Sequence, residues 1–311
     1  MKRLISICIP AYKNTDYLDV LLKSIAIQSF RDYEVVVSDD SPGDEVEILC
    51  RRYAEKFSLI YHKNIPAKGS PANWNAGIRM ATGQWIKIMH DDDWFSSPDS
   101  LNGFAKAAAA HPEASFLFSG FNHFEDGRMK ERHIIDKHTE EKLRRSPLCL
   151  FSKNYIGHPS TTMIKNELRE WYDEKVKWVV DFEFYIRCLR HQQFHFIAEP
   201  LVNIGINNEQ ITKAVFRNPA VEIPENIYLL NTLGVEVLKD MTVYDYYWRM
   251  FRNLGVRSVK TVEAHLGDNI LPGALISMLR FQLRIPLGIL KHGIFSKPLM
   301  ALSYFTNNKK Q

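Results

Sequence analysis

Short apolar runs and amphipathic segments alternate along the first 90 residues, and this order limits the fold more than any other feature. Runs typical of buried strands span Leu4–Ile9, Tyr33–Val37, Leu59–His62 and Trp85–Met89. Between them, helical spacing of apolar residues marks Tyr17–Ile27, with Asp16 as its predicted N-cap, Glu45–Phe57 and Ala72–Ala81. Because alternating strands and helices build parallel sheets, we predict an α/β fold with a mostly parallel central sheet flanked by helices.

Length and composition favour one α/β domain with an appended segment. The chain has 311 residues, of which 45% are apolar and 24% charged. We predict an α/β domain over residues 1–213 and a helical C-terminal extension over 214–311. The four scattered cysteines lack C-x-x-C spacing, and the first apolar run stops at Pro10, too early for a signal peptide. These features predict a cytoplasmic protein with reduced thiols.

Carboxylates follow two of the predicted strands. Asp39 and Asp40 end the second strand, Asp91–Asp93 follow the fourth, and Pro10–Asn14 follow the first. The carboxyl ends of parallel strands meet at one edge, where ligands bind in open α/β sheets. Adjacent carboxylates repel one another unless a cation or donor neutralises them, and oxygen ligands suit Mg²⁺ or Mn²⁺ on a phosphate group. Helix caps and a solvated Asp-rich turn are the alternative explanations.

Other phosphate-binding devices are absent from the sequence. No G-x-G-x-x-G follows the first strand, and no G-x-x-x-x-G-K-[ST] occurs anywhere in the chain. A dinucleotide-binding fold and a P-loop are therefore excluded, and a bound phosphate would need a metal ion for charge neutralisation.

Three segments carry a resemblance to a known family. They read "ISICIPAYKN", "YEVVVSDDS" and "NWNAGIRMATGQWIKIMHDDDW". Together they resemble the N-terminal half of the family 2 glycosyltransferases, which have the GT-A fold. Two later segments, "WVVDFEFYIRCL" and "AEPLVNIGINNEQIT", resemble the family more weakly. The resemblance implies inverting transfer of a sugar from a nucleotide-diphosphate sugar, with UDP as the expected nucleotide, to an acceptor hydroxyl. It also implies surface polysaccharide assembly, as in O-antigen or capsule, on a saccharide or lipid-linked saccharide at the cytoplasmic face of the inner membrane.

The resemblance also assigns roles to residues. The nucleotide sugar would be bound by Pro10, Tyr12, Asn14, Asp39, Asp40, Asn75 and Asp91. Asp92 and Asp93 would hold Mg²⁺ or Mn²⁺, while His90 replaces the usual first acid and Asn207 replaces a histidine of many relatives. Asp181 is the predicted general base, with Glu183 as the second choice.

Two other classes remain open. A nucleotidyltransferase would carry a glycine-rich basic segment after its first strand, and "PAYKNTDY" contains no glycine. A non-catalytic module would bind the nucleotide sugar without turnover. Nucleic acid is not expected as a partner, because no recognition motif accompanies the basic residues.

The C-terminal segment contains no acidic residue after Asp268. Its basic residues are Arg280, Arg284, Lys291, Lys297, Lys309 and Lys310. In a helix over Pro272–Lys291, broken by Pro286, the apolar residues Ile276, Leu279, Leu283 and Leu287 share a stripe. This stripe either packs on the protein or lies on an anionic membrane surface.

Overall fold

A computed structural model describes residues 3–207 and 216–308. The predicted boundary at residue 213, the last part of the "AEPLVNIGINNEQIT" motif, and Lys309 and Lys310 lie outside the described residues. The chain forms two compact units. The first contains residues 3–145, Tyr155–Glu174 and residues 180–207. The second contains Ser146–Asn154, Lys175–Val179 and residues 216–308, so two short segments belong to it that a single boundary does not anticipate.

The first unit is built on a mixed sheet. Its described strands are β1 Ile5–Ala11, β2 Tyr33–Asp39, β3 Leu59–Lys63, β4 Trp85–Ile88, β5 Trp94–Phe95, β6 Phe116–Glu125, β7 Arg128–His133, β8 Thr162–Lys165 and β9 Phe194–Ile206. Their order is β3-β2-β1-β4-β8-β6-β9-β5, with β7 paired to β6. β3, β2, β1 and β4 are mutually parallel, β8 runs antiparallel between β4 and β6, and β9 is parallel to β6. The predicted α/β fold with its parallel core is confirmed.

Six of the described helices belong to the first unit. They are α1 Thr15–Ala26, α2 Glu45–Tyr53, α3 Ala72–Met80, α4 Ser100–Ala110, α5 Lys137–Arg145 and α6 Val180–Leu189. In α1, Leu18, Leu21, Leu22 and Ile25 recur at helical spacing and are buried in the same core cluster as residues of β1 and β2. The predicted N-cap Asp16 is wrong, because Asn14 accepts from the Tyr17 amide and starts the helix earlier.

Strand register places the carboxyl ends of the parallel strands at one edge. Ala11 at the end of β1 pairs with Asp39 at the end of β2, and Cys8 of β1 pairs with Ile88 at the end of β4. β1 and β2 are almost wholly buried, as expected for parallel strands covered on both faces. The residues after each strand therefore emerge together at that edge.

The second unit is helical, as predicted for the extension. Its described helices are α7 Pro219–Leu233, α8 Met241–Asn253, α9 Val259–Glu263, α10 Gly273–Leu283, α11 Leu287–Lys291 and α12 Gly293–Asn308, with a 3₁₀ turn at Val235–Lys239. α8 is central, because its Tyr244, Tyr247, Trp248 and Phe251 are all buried.

The predicted tail helix is split at Pro286, with α10 ending before it and α11 beginning after it. Leu279 is buried, and Ile276, Leu283 and Leu287 are half-buried. Only Leu279 of the predicted stripe is thus fully buried, and contact of the stripe with a membrane stays a prediction. None of the helices described here is long and apolar enough to span a bilayer.

Candidate functional site

Hydrogen bonds join the segments that follow β1, β2 and β4. The Tyr12 amide donates to Asp91 Oδ2 at 3.3 Å, and the Lys13 amide donates to Ser41 Oγ at 2.7 Å. Lys13 adopts a φ of +63°, an uncommon conformation for a residue with a Cβ, where the chain leaves β1. The predicted convergence of these strand ends is therefore present in the structure.

Asp39 and Asp40 both accept several hydrogen bonds within the protein. Asp39 is fully buried and accepts from the Ser41 amide at 2.8 Å and from the Tyr61 hydroxyl at 2.7 Å. Asp40 accepts from the Asn64 side chain and from the amides of residues 68 and 69. Each carboxylate thus fixes a loop at the site, and contact of either with a nucleotide stays a prediction.

The other predicted nucleotide-binding residues differ in their surroundings. Tyr12 presents a ring that is 54% exposed, with Lys13 Nζ 4.7 Å from its centroid. Pro10 is half-buried, and Asn14 caps α1. Asn75 is buried, donates to the Tyr172 carbonyl at 2.8 Å and accepts from the Tyr172 amide at 2.9 Å. These contacts give Asn75 the role of tethering residue 172 to α3, and they offer no support for nucleotide binding.

His90, Asp92 and Asp93 form the cluster of potential metal ligands at this edge. One ligand atom from each lies within 4.8 Å of the others. Asp92 Oδ2 accepts from the Asn207 side chain at 2.8 Å, and Asp93 Oδ1 accepts from the Gly205 amide at 3.1 Å. The structure therefore brings the predicted metal ligands together. The structure adds His90 to these ligands, a residue at which the sequence only departs from the family pattern.

The surroundings of His90 fit a metal ligand. Its backbone amide donates to Ser160 Oγ at 2.9 Å, and its ring lies 4.6 Å from that of Trp74. The ring nitrogen Nε2 is buried and has no hydrogen-bond partner among the described residues. Burial, and then the nearby Lys87, lower the pKa of His90 to about 4, so the ring is neutral at pH 7. Neutral imidazole is the form that binds metals.

The repulsion between the carboxyl groups beside His90 also favours binding of a cation. Burial, followed by repulsion from Asp92, raises the pKa of Asp91 to about 7 and the pKa of Asp93 well above its usual value. A divalent ion relieves such repulsion. One imidazole nitrogen with two carboxylates is a donor set that suits Mn²⁺ better than the harder Mg²⁺. The residues present therefore fit a divalent cation.

Asp181 lies in the first turn of α6. Its Oδ1 atom is buried, and no donor in the described part of the chain reaches it. Burial raises the pKa of Asp181 to about 7, where a general base works well at neutral pH. Glu183, the second choice, accepts from Arg187 Nε at 2.6 Å. An acid engaged in an ion pair is a poor base, so the geometry favours Asp181 over Glu183.

Sequence reasoning missed an aromatic series that connects α6 to the cluster. Tyr172 stacks on Phe184 of α6 at 4.1 Å between ring centroids and meets the edge of Trp74 at 5.0 Å. Trp74 in turn contacts His90. Trp74 lies in the quoted family-like segment, but nothing in that segment indicates its partners.

Comparisons with known proteins agree with this fold. The family model described as Glycosyl transferase family 2 matches residues 6–170, which is more than half of the chain. The chain therefore belongs to Glycosyl transferase family 2, and the resemblance found in its sequence is confirmed.

Curated relatives are distant. An uncharacterized glycosyltransferase of Methanocaldococcus jannaschii is 27% identical over 214 residues, which cover 67% of this chain and 72% of the relative. One from Rickettsia prowazekii is 23% identical, and the alignment spans 66% of that protein. Abequosyltransferase RfbV of Salmonella typhimurium is 36% identical over 102 residues, about a third of each chain. The chain thus spans about two thirds of the first relatives' length.

Solved structures share the fold. The structure of S. aureus TarS with UDP-GlcNAc has a TM-score of 0.66 at 18% identity, covering 98% of this chain and 90% of the other. Mannosyltransferase PcManGT from Pyrobaculum calidifontis, with GDP-Man and Mn²⁺, has a TM-score of 0.54 at 16% identity, covering 100% and 87%. At this identity the likeness establishes the GT-A-like architecture alone.

Proposed function

We propose that the protein is an inverting, metal-dependent glycosyltransferase that moves a sugar from a nucleotide-diphosphate sugar to an acceptor hydroxyl. The observation that carries this proposal is the cluster of His90, Asp92 and Asp93 at the carboxyl edge of the sheet. Membership of Glycosyl transferase family 2 supports the reaction class.

The chain's own residues divide the work of a single displacement. His90, Asp92 and Asp93 would hold the cation, which when bound would neutralise the charge of the departing nucleoside diphosphate. Asp181 removes the proton of the acceptor hydroxyl as that oxygen attacks the anomeric carbon from the opposite side. The exposed ring of Tyr12 provides a surface on which a nucleobase stacks. Asp39 and Asp40 keep the loops around the nucleobase in place.

UDP is the proposed nucleotide and Mn²⁺ the proposed ion, with Mg²⁺ as the weaker alternative. TarS was solved with UDP-GlcNAc, and PcManGT was solved with GDP-Man and Mn²⁺. We also propose a saccharide or lipid-linked saccharide acceptor in surface polysaccharide assembly, supported by the partial alignment with RfbV. Four buried, reduced cysteines support a cytoplasmic site of action, at the inner membrane where lipid-linked acceptors occur.

The test is a panel of UDP, GDP and dTDP sugars with Mn²⁺, in which release of the nucleoside diphosphate is measured with and without saccharide acceptors. We expect acceptor-independent hydrolysis for one nucleotide series and faster release when a suitable acceptor is present. Pyrophosphate formation from a nucleoside triphosphate and a sugar phosphate would instead identify a nucleotidyltransferase. Tight donor binding without release under any condition would identify a non-catalytic binding module.

A further inference from the structure

Helix α12 packs on the second unit through polar side chains. Ser296 Oγ accepts from the indole of Trp248 at 3.0 Å, and Ser303 Oγ lies 2.7 Å from the hydroxyl of Tyr244. Asn307 donates to the same tyrosine hydroxyl at 2.7 Å. These residues fall on one side of the helix with the buried Met300. Hydrogen bonds therefore hold the inward side of α12 at several points along its length.

The opposite side of α12 is apolar and exposed. Ile294, Pro298, Leu302 and Phe305 recur at intervals of four, four and three residues, which places them on one stripe. Ile294 is 85% exposed, and Leu302 and Phe305 are each more than half exposed. Phe295 adjoins this stripe and is 57% exposed. We call Ile294, Phe295, Pro298, Leu302 and Phe305 the outer face.

This arrangement reverses the usual one for a helix on a protein surface, where apolar residues turn inward. The inward polar residues are engaged by Trp248 and Tyr244, so the helix cannot rotate its apolar side inward without losing those hydrogen bonds. The outer face is therefore a fixed, exposed apolar patch of the kind found where a protein contacts another protein or a membrane.

The charges around the outer face indicate the chemistry of that partner. No aspartate or glutamate occurs after Asp268. Arg280, Arg284, Lys291 and Lys297 are all exposed in this stretch. A second copy of the chain would bring the same positive charges together, whereas an anionic surface would neutralise them. Apolar side chains in a segment with exposed basic residues and no acidic residue match the interface of an anionic lipid bilayer.

We propose that the outer face of α12 inserts into the interfacial layer of a membrane that contains anionic lipids. Lys291 and Lys297 then contact the lipid headgroups. This contact surface differs from the stripe predicted from the sequence, whose residues in α10 and α11 are buried or half-buried. It does not depend on the proposed sugar transfer, because neither donor nor acceptor takes part in it.

The experiment measures partitioning of the full chain onto vesicles of phosphatidylcholine with and without 30% phosphatidylglycerol. We expect Leu302→Gln/Phe305→Gln to weaken partitioning about tenfold or more, since two apolar side chains that insert into the bilayer would be lost. Ile48→Gln, at an exposed apolar position on α2, is the matched control and should bind as the unmodified chain does. Lys291→Gln/Lys297→Gln should weaken binding only to the anionic vesicles, and 0.5 M salt should do the same.

Unfolding temperatures close to that of the unmodified chain would show that the variants fold, as expected for exposed positions. Equal partitioning of the chain and its outer-face variant would overturn the proposal. Partitioning that does not depend on the anionic lipid would also overturn it. A concentration-dependent dimer in sedimentation analysis that disappears in Leu302→Gln/Phe305→Gln, together with no vesicle binding, would assign the outer face to contacts between two copies instead.

Discussion

Replacement of Asp181 by asparagine should stabilise the protein at neutral pH while it removes catalysis. The carboxyl oxygen Oδ1 is buried without a hydrogen-bond partner among the described residues, and burial raises the pKa of Asp181 from 3.8 to about 7. Asparagine has nearly the same shape and carries no charge. It therefore removes the cost of burying a carboxylate and leaves the packing of α6 in place.

The size of the stability difference follows from the pKa of Asp181 in the unfolded and in the folded protein. Because the pKa is higher in the folded state, the folded protein holds a proton that the unfolded chain releases between about pH 4 and pH 7. The contribution of Asp181 to stability therefore falls as the pH rises through this range and stays low above pH 7. A difference of this size corresponds to at most about 4 kcal/mol. Relaxation of the protein and water penetration reduce the cost of burying a carboxylate, so we expect a stability difference of about 1–3 kcal/mol.

The assay is urea unfolding of both proteins at several pH values from 4.5 to 8.5. Asp181→Asn should exceed the unmodified protein by about 1–3 kcal/mol at pH 8, and the difference should shrink towards pH 4.5. Asp126→Asn, at an exposed position in the turn between β6 and β7, is the matched control and should show no such trend.

Activity provides the second half of the same test. Transfer by Asp181→Asn should fall about 10²–10⁴-fold, the usual contribution of a general base, while donor affinity is retained. Transfer by the unmodified enzyme should rise with pH through about 7 as this carboxyl ionises. A stability difference that does not vary with pH would refute the burial argument. Near-normal transfer by the variant would refute the assignment of the base.

Two further predictions concern the cluster itself. His90→Asp should shift metal preference from Mn²⁺ towards Mg²⁺, because a carboxylate replaces a nitrogen ligand, and titration calorimetry with UDP should show the Mn²⁺-to-Mg²⁺ affinity ratio falling about tenfold. Gly205→Ala would place a Cβ 2.4 Å from the Asp92 carbonyl oxygen, so we expect about 1–3 kcal/mol of destabilisation in thermal unfolding and weaker Mn²⁺ binding. An unchanged unfolding temperature for Gly205→Ala would show that the loop around Asp92 adapts without cost.

The parallel half of the sheet was predictable because its strands are short apolar runs, each followed by an amphipathic helix. The antiparallel part was not. β5 contains only Trp94 and Phe95, too short for any periodicity, and it pairs with β9 more than 100 residues later. The start of α1 was missed by two residues because Asn14 and Asp16 are both good caps, and only the fold selects between them.

Site residues were predictable where a general rule fixes their place in the fold. They were unpredictable where their place depends on a hydrogen bond to a residue far away in the sequence. Asp91–Asp93 were located from the rule that parallel strands end at one edge. The tether from Asn75 joins residues 97 positions apart, and no local pattern signals it. The outward apolar side of α12 depends on hydrogen bonds from Trp248 and Tyr244, which a helical projection of the tail cannot contain.

The most direct test of the central claim is calorimetric binding of UDP with and without Mn²⁺, to the unmodified protein and to Asp92→Asn. The account predicts that Mn²⁺ tightens UDP binding at least tenfold in the unmodified protein, because the cluster of His90, Asp92 and Asp93 and the diphosphate share the ion. It predicts that Asp92→Asn loses this enhancement, while the control Asp126→Asn keeps it. UDP affinity that is the same with and without Mn²⁺, or an enhancement that survives in Asp92→Asn, would contradict the account.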